Sequence, residues 1–514
     1  MLKLAVTVSP SLRAFLATAF FAAILFLILP YHEVWRDEMH DLSMVMSWKS
    51  LPDLLKNTTS HGFPALWYLV LWTGYHLTHS VLVLKMASLA AVTAGAYLFI
   101  RHAPFSRLEK TLFLAGQFPL YHYSIISRSY SLSFLLLFAA CASYPKRFQN
   151  IFLLAAALFL LANTGAHSLL LACALFVCLA VQYFSARRRI QNPTQWLAAF
   201  GFIIFGIALA VVQIWPDPES TVKYHVITPP LIAAALEKSL FTPGDFFSQL
   251  FGLYPGVVTV SLWLITLASF RRQFSTGLFI FLSGFSLALL FQLIYPGALR
   301  HQGFLYLALI ALFWLERSDD AATPRGPEKN WFFDFTRRYR EAFLVITLVI
   351  QVIAGYETVK WDLFWPYSSS GDFAAYLRRD PRLREAVLVP EPDYLAEPLP
   401  FYTNNPIYFT RESRFGTFIH FTTANAAELS LDELLDTAHE VREKTGKPVL
   451  LMIGHVLPVQ GPYEIFFSYG KTFRYSPKEL KRLETETVLL TQFRSAMIDE
   501  NYDIHLLKEK AAPA

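Results

Sequence analysis

Long apolar runs separated by short polar connectors set the pattern of the first 360 residues. They lie at 14–30, 63–101, 109–125, 127–143, 150–184, 196–215, 254–270, 275–294, 300–316 and 341–357. Most reach or approach the roughly 20 residues that a helix needs to cross a hydrocarbon core of about 30 Å. Several have room for two helices, which gives about 11 to 13 crossings. From Trp361 onward the pattern changes. "SLDELLDTAHEVREKTG" opens with a capping box, Ser430 to Glu433, and stops at Gly446, while "SPKEL" repeats the device with Ser476, Pro477 and Glu479. Short runs such as "AVLVP", "PVLLMIG", "YEIFFSYG", "TVLLTQF" and "YDIHLL" alternate with these helices and read as strands. The expectation is a polytopic α-helical membrane module over 1–360 followed by a small extracytoplasmic α/β domain over 361–514.

Composition sharpens this picture. The chain is 54% hydrophobic and 16% charged, with 46 phenylalanines, and its mean hydropathy is +0.38, far above a soluble domain. Lys3 and Arg13 precede the first run as in a signal peptide, but no small-residue cleavage site follows, so the run reads as a retained anchor. The net charge of +5 comes largely from the connectors "RHAPFSRLEK", "PKRF", "ARRRIQNP", "RRQ" and "RGPEKNWFFDFTRRYR". That is the signature of cytoplasmic loops, and nucleic acid is not an expected partner. Alternation then places outside the opening stretch 31–62, the loop 216–253 and everything after residue 358. This holds if 63–101 crosses once, its first part "HGFPALWYLVLW" lying along the outer surface or dipping in and returning. Cys141, Cys173 and Cys178 all fall in apolar runs and read as small buried hydrophobes.

Titratable residues collect on that outer face. "YHEVWRDEMHDL", residues 31–42, packs Glu33, Arg36, Asp37, Glu38, His40 and Asp41 against the end of the first apolar run. Asp37 and Glu38 are adjacent, so on a helix they diverge by about 100° and cannot both address one atom. One suits a general base, the other a metal ligand or a substrate-orienting group. The bland alternative is an interfacial loop that only fixes topology. His61 and Pro64 open the next block, and His61 suits a phosphate or a metal, with Asp37 and Glu38 as the other metal candidates. Arg128 and Tyr130 head a later span, and Arg300 and His301 head another. Each arginine either snorkels to the interface or meets an anion such as phosphate. Lined up in a transporter, the same groups would mark a translocation path, but transporters tend to show repeats and charges near mid-membrane.

The order of these features resembles the GT-C superfamily of membrane glycosyltransferases, nearest to bacterial relatives of protein O-mannosyltransferases and the lipid A aminoarabinose transferase. The motifs that carry it are Asp37-Glu38, His61 to Leu66 and Arg128 to Tyr130; Asp41 stands where the family usually has a tyrosine, and "HGFPAL" replaces a Lys/His-Pro-Pro-Leu. The resemblance implies a multi-pass protein of the cytoplasmic membrane with its active site facing the periplasm or exterior. It implies inverting transfer of a sugar from a polyprenyl phosphate to a hydroxyl on a glycan, lipid or protein. Asp37 would be the general base and Glu38 would orient the acceptor or hold a cation. Arg128, Tyr130, His61, Arg36, Arg300 and His301 would face the donor phosphate. No organic cofactor is implied, and a divalent cation is left open. Loop 216–253, with Trp215, Tyr224 and Phe246, would close over the site and exclude water. The competing class is a transporter or flippase for a lipid-linked glycan.

Overall fold

The computed structural model describes residues 9–58, 63–185, 187–215, 218–221, 228–322 and 331–509. Its first helix, Pro10–Ile28, begins where the Ser9 hydroxyl accepts from the Leu12 amide, with proline at the first helical position. The helix is apolar all round, yet only Ala14, Thr18, Phe21 and Leu25 are buried, and Phe15, Leu16, Phe20, Phe26 and Leu27 point outward. One seam therefore packs on protein and the rest requires lipid. Pro193–Ile214 repeats the arrangement. Among the described residues, six helices are long and apolar enough to span: Pro10–Ile28, Val83–His102, Ala166–Ser185, Pro193–Ile214, Phe274–Leu293 and Asp334–Phe364. A seventh results if Gly244–Phe251 and Pro255–Arg272, bent by 98°, count as one span. The bend brings the chain so close that a Cβ on Gly244 would fall 1.9 Å from the Pro255 carbonyl oxygen, and Gly252 closes the short helix at φ +58°. The chain is a multi-pass membrane protein.

Of two long runs, 63–101 takes the single-crossing form that the topology required, and 109–125 departs from the span expected. Residues 63–101 divide into Leu66–Thr78 and Val83–His102, and only the second has spanning length; thirteen residues rise about 20 Å. Residues 109–125 form no continuous helix. Arg107–Leu114 gives way to a π turn at Phe118–His122, where Pro119 cannot donate to the ladder. Helix Leu299–Ala322 runs through the middle of the bundle, and every residue from Phe304 to Leu315 is at most 3% exposed.

The bundle has two unlike ends. At one, the basic connectors meet acids: Arg147 and Asp319 at 2.8 Å, Arg317 with Glu109 at 2.8 Å and with Glu341 at 2.6 Å, Arg272 with Asp320, and Arg340 with Glu316. At the other lie the end of the first helix, the start of Tyr130–Ser143, the start of Leu299–Ala322 and the end of Trp331–Phe364. The chain beyond Ser370 sits on that second end. Its main sheet pairs Val387–Glu391 in parallel with Val449–Ile453, then Val449–Ile453 antiparallel with Tyr502–Leu507, and Tyr502–Leu507 antiparallel with Thr487–Phe493. Alternate residues fill two cores: Leu388, Leu450, Met452 and Ile504 face one side, and Val389, Val449, Leu451 and Ile453 the other. Both capping residues work as expected: Ser430 and Glu433 satisfy each other's amides, and Ser476 accepts from Glu479. A further core joins this region to the bundle, with Phe418 packed among Val34, Met39, Leu42, Trp67 and Tyr68.

The two-ended arrangement predicts a labelling pattern. With Cys141, Cys173 and Cys178 replaced by alanine, Arg188→Cys and Arg382→Cys should react with an impermeant maleimide from opposite sides of oriented vesicles. Reaction of both from one side contradicts it.

Candidate functional site

The first turn of helix Arg36–Ser47 carries the acidic pair, and helical geometry sends the two carboxylates apart. Glu38 turns inward and is completely buried. One of its oxygens accepts from the Trp35 amide at 3.3 Å and meets His32 Nε2 at 3.0 Å, while the other accepts from the Ser127 amide. His32 Nδ1 lies 3.2 Å from Asp362, at the end of the last membrane helix, and 3.2 Å from the Tyr121 hydroxyl. Lys85 donates to the His32 carbonyl at 2.8 Å and to the Leu29 carbonyl at 3.0 Å. Burial pulls the His32 pKa down, but Glu38 and Asp362 outweigh it and hold the ring protonated up to about 9. Glu38, expected to touch acceptor or cation, is thus enclosed by protein donors, and its place is to fix the turn.

Asp37 turns the other way, its side chain 34% exposed, and meets Arg300 Nη2 at 3.2 Å. Arg128 donates to the Asp37 carbonyl, lies 3.6 Å from Asp41 and covers the Phe63 ring. Asp41 also accepts from the Tyr68 hydroxyl at 3.2 Å; burial raises its pKa against the pull of Arg128. His40 pairs with Glu397 at 2.7 Å. His301 Nδ1 accepts from the Ala298 amide at 2.9 Å, so its proton lies on Nε2, which donates to the Tyr130 hydroxyl at 2.8 Å. That leaves the Tyr130 hydrogen available to a further acceptor. Asp37, Arg128, Arg300, Tyr130 and His301 therefore gather at one end of the bundle, as the sequence suggested.

Arg36 does not join them. Its guanidinium holds Asp499 at 2.6 and 3.1 Å and covers the Tyr394 ring, and its amide donates to Glu500 at 2.9 Å. It ties the turn to the C-terminal region instead of facing a donor phosphate, a correction that follows from partners more than 460 positions away. Ser368 donates to both Glu500 and Glu33 at the same seam. His61 and Tyr224 lie outside the described residues. Among the described residues no three His, Cys, Asp or Glu side chains are placed to hold a metal, and both oxygens of Glu38, one of the metal candidates, are taken. The residues that sequence reasoning missed, His32, Asp362, Glu397 and Glu500, take their importance from contacts that join distant segments, His32 to Asp362, His40 to Glu397 and Arg36 to Glu500, each more than 300 positions apart.

Three buried groups shift the same way. Burial and Asp372 raise Glu33 to about 7, burial raises Glu500 to about 8 against Arg36, and His32 reaches about 9. Each stabilising contribution is complete below the group's ordinary pKa and disappears as pH rises through the folded-state value. The thermal midpoint of the protein in nanodiscs should therefore fall from about pH 5 to about pH 10, and His32→Gln should flatten the upper part of that fall. A midpoint that rises over this range contradicts the assignment. Glu38→Ala leaves His32 with half its partners and should destabilise by about 3–5 kcal/mol.

No family model matches this sequence, and no curated protein matches it. Among solved structures, the crystal structure of ArnT from Cupriavidus metallidurans bound to undecaprenyl phosphate is similar, at 13% identity over 96% of this chain and 97% of that one, with a TM-score of 0.48. A likeness of this size settles neither activity nor ligand.

Proposed function

We propose that this chain is an inverting glycosyltransferase of the GT-C kind, moving a sugar from a polyprenyl phosphate to a hydroxyl acceptor at the extracytoplasmic face of the cytoplasmic membrane. The observation that carries the reading is that two arginines, from the heads of two different helices, meet one residue of the turn, Arg300 at the half-exposed Asp37 carboxylate and Arg128 at the Asp37 main-chain carbonyl. In this reaction the acceptor hydroxyl attacks the anomeric carbon and its proton passes to Asp37. The bond from that carbon to the phosphate oxygen breaks, and the phosphate leaves with the electron pair. Arg300 and Arg128 supply positive charge where that oxygen becomes anionic, and Tyr130 offers a hydroxyl hydrogen beside them. Arg300 is paired with Asp37 before any donor arrives. A donor phosphate competes for Arg300 and in doing so releases Asp37 as a base, so donor binding prepares the acceptor step.

A transporter reading is weaker here. The charges stand at the end of the bundle, and the central helix beneath them is closed by apolar packing from Phe304 to Leu315. Of the outer loop expected over 216–253, Pro229–Phe241 and Gly244–Phe251 are helical and Phe246 packs on the bundle core, so Phe246 does not cover the site, whereas residues 219–221 bond to 421–423 at 2.8 and 3.0 Å, which suits a segment that covers it.

Lipids copurifying with the protein should include a polyprenyl phosphate by mass spectrometry. Asp37→Asn keeps shape but removes the base, so transfer in vesicles charged with lipid-linked sugars should fall about two to four orders of magnitude. Its affinity for undecaprenyl phosphate should match or exceed wild type, because Arg300 loses its competitor. Arg300→Ala should weaken that affinity about tenfold or more. Wild-type transfer by a folded Asp37→Asn, or undecaprenyl phosphate bound no better than undecaprenol, overturns the reading.

A further inference from the structure

Four segments meet at the outer lip of the acidic turn: helix Arg36–Ser47, residues 219–221, residues 418–423 and the turn at 467–470. His40 lies between the rings of Phe418 and Phe421, 5.7 and 5.4 Å between centroids, while Glu397 holds both the His40 ring and the Ile419 amide. The Phe421 carbonyl accepts from the Thr221 amide at 3.0 Å, and the Thr423 amide donates to the Glu219 carbonyl at 2.8 Å. This stitching fixes Phe421 in place. Tyr469 rests on it, ring to ring at 4.8 Å and 49°.

Tyr469 is unusual in its backbone and in its surroundings. It adopts φ 66° and ψ 26°, a left-handed conformation that strains a bulky residue, and Gly470 follows at φ 67°. A glycine or asparagine would hold the same turn with less strain, so the turn alone does not explain a tyrosine. The residue is 44% exposed, and Phe466, immediately before the turn, is 75% exposed. Through Phe421 the ring is linked to His40, which lies one helical turn from Asp37 on helix Arg36–Ser47. A half-open aromatic face thus stands one turn away from the carboxylate assigned as the base, supplied by the C-terminal region and not by the membrane bundle.

We propose that Tyr469, seated on Phe421, is the platform that holds the acceptor, and that the acceptor is a saccharide. The inference rests on the glycosyltransferase reading and names its acceptor class. A pyranose has a C–H face that covers an aromatic ring and hydroxyls around its rim, so one ring on Tyr469 places a hydroxyl toward Asp37. The side-chain hydroxyl of a serine or threonine has no flat apolar face to match this ledge. Tyr469 binds and orients; the proton still passes to Asp37.

Saturation-transfer NMR on the full chain in nanodiscs tests this with methyl β-glucoside, methyl β-galactoside and methyl β-N-acetylglucosaminide, and with a capped Gly-Ser-Thr-Gly peptide for comparison. Tyr469→Gly removes the ring while relaxing the backbone, Tyr469→Phe keeps the ring, and Tyr463→Ala removes another half-exposed ring at the far end of the same hairpin. Saturation on the C–H face of at least one glycoside is expected. It should persist in Tyr469→Phe and Tyr463→Ala and fall about tenfold in Tyr469→Gly. Undecaprenyl phosphate affinity should be the same in all four proteins. No glycoside signal, an equal signal in Tyr469→Gly, or preferential saturation of the peptide overturns the proposal. Loss of undecaprenyl phosphate binding alone, with a glycoside signal that still depends on Tyr469, sinks the donor assignment and leaves the platform standing.

Discussion

A protonated histidine enclosed between two carboxylates fixes the geometry on which the rest of the site depends. His32 holds Glu38 on one ring nitrogen and Asp362 on the other, all with fully buried side chains. Charges buried this way are tolerated when each is paired and its remaining hydrogen-bonding positions are met. Here the amides of Trp35 and Ser127 complete the set around Glu38, and the Tyr121 hydroxyl lies beside the His32 ring. The pairing joins the exit of the first membrane helix, the loop before Tyr130 and the end of the last membrane helix into one rigid corner. Because Glu38 is locked inward, Asp37 must face outward, toward Arg300. The acid that suits proton transfer is positioned by the acid that cannot take part in it.

The two ends of the bundle show how charge sets both orientation and chemistry. At the connector end, four arginines meet five acids, Asp319, Asp320, Glu109, Glu316 and Glu341, with Arg317 holding two of them, which neutralises them and holds the helix ends together. At the site end, Arg128 meets Asp41 and the Asp37 carbonyl, and Arg300 meets the Asp37 carboxylate. Arg36, next in sequence to Asp37, has the opposite fate, because Asp499 and Tyr394 engage it. The C-terminal region is thereby clamped on the site, with Tyr402 bonded to the Val34 amide at 2.6 Å as a second tie.

Much of this was legible in the sequence because the signals are local. Caps at Ser430, Gly446 and Ser476 and the alternating strands located the C-terminal elements, since those patterns depend on neighbours within four positions. The gathering of Asp37, Arg128, Tyr130, Arg300 and His301 followed from counting alternating helices. Residues 109–125 were misread as a span because their apolar composition hid the effect of Pro119 on the helix ladder. The roles of His32, Glu38, Arg36 and Tyr469 were not legible, since each depends on partners set by the tertiary fold, from Asp362 at a separation of 330 positions to Asp499 at 463.

The central claim is that Arg300 exchanges Asp37 for a donor phosphate. Cryo-electron microscopy of the protein in nanodiscs containing undecaprenyl phosphate tests it directly. The account predicts phosphate density within hydrogen-bonding distance of Arg300 and Arg128, with the Asp37 carboxylate separated from Arg300 and open to the Tyr469 side. Phosphate density elsewhere in the molecule, with the Asp37–Arg300 pair intact, would contradict it.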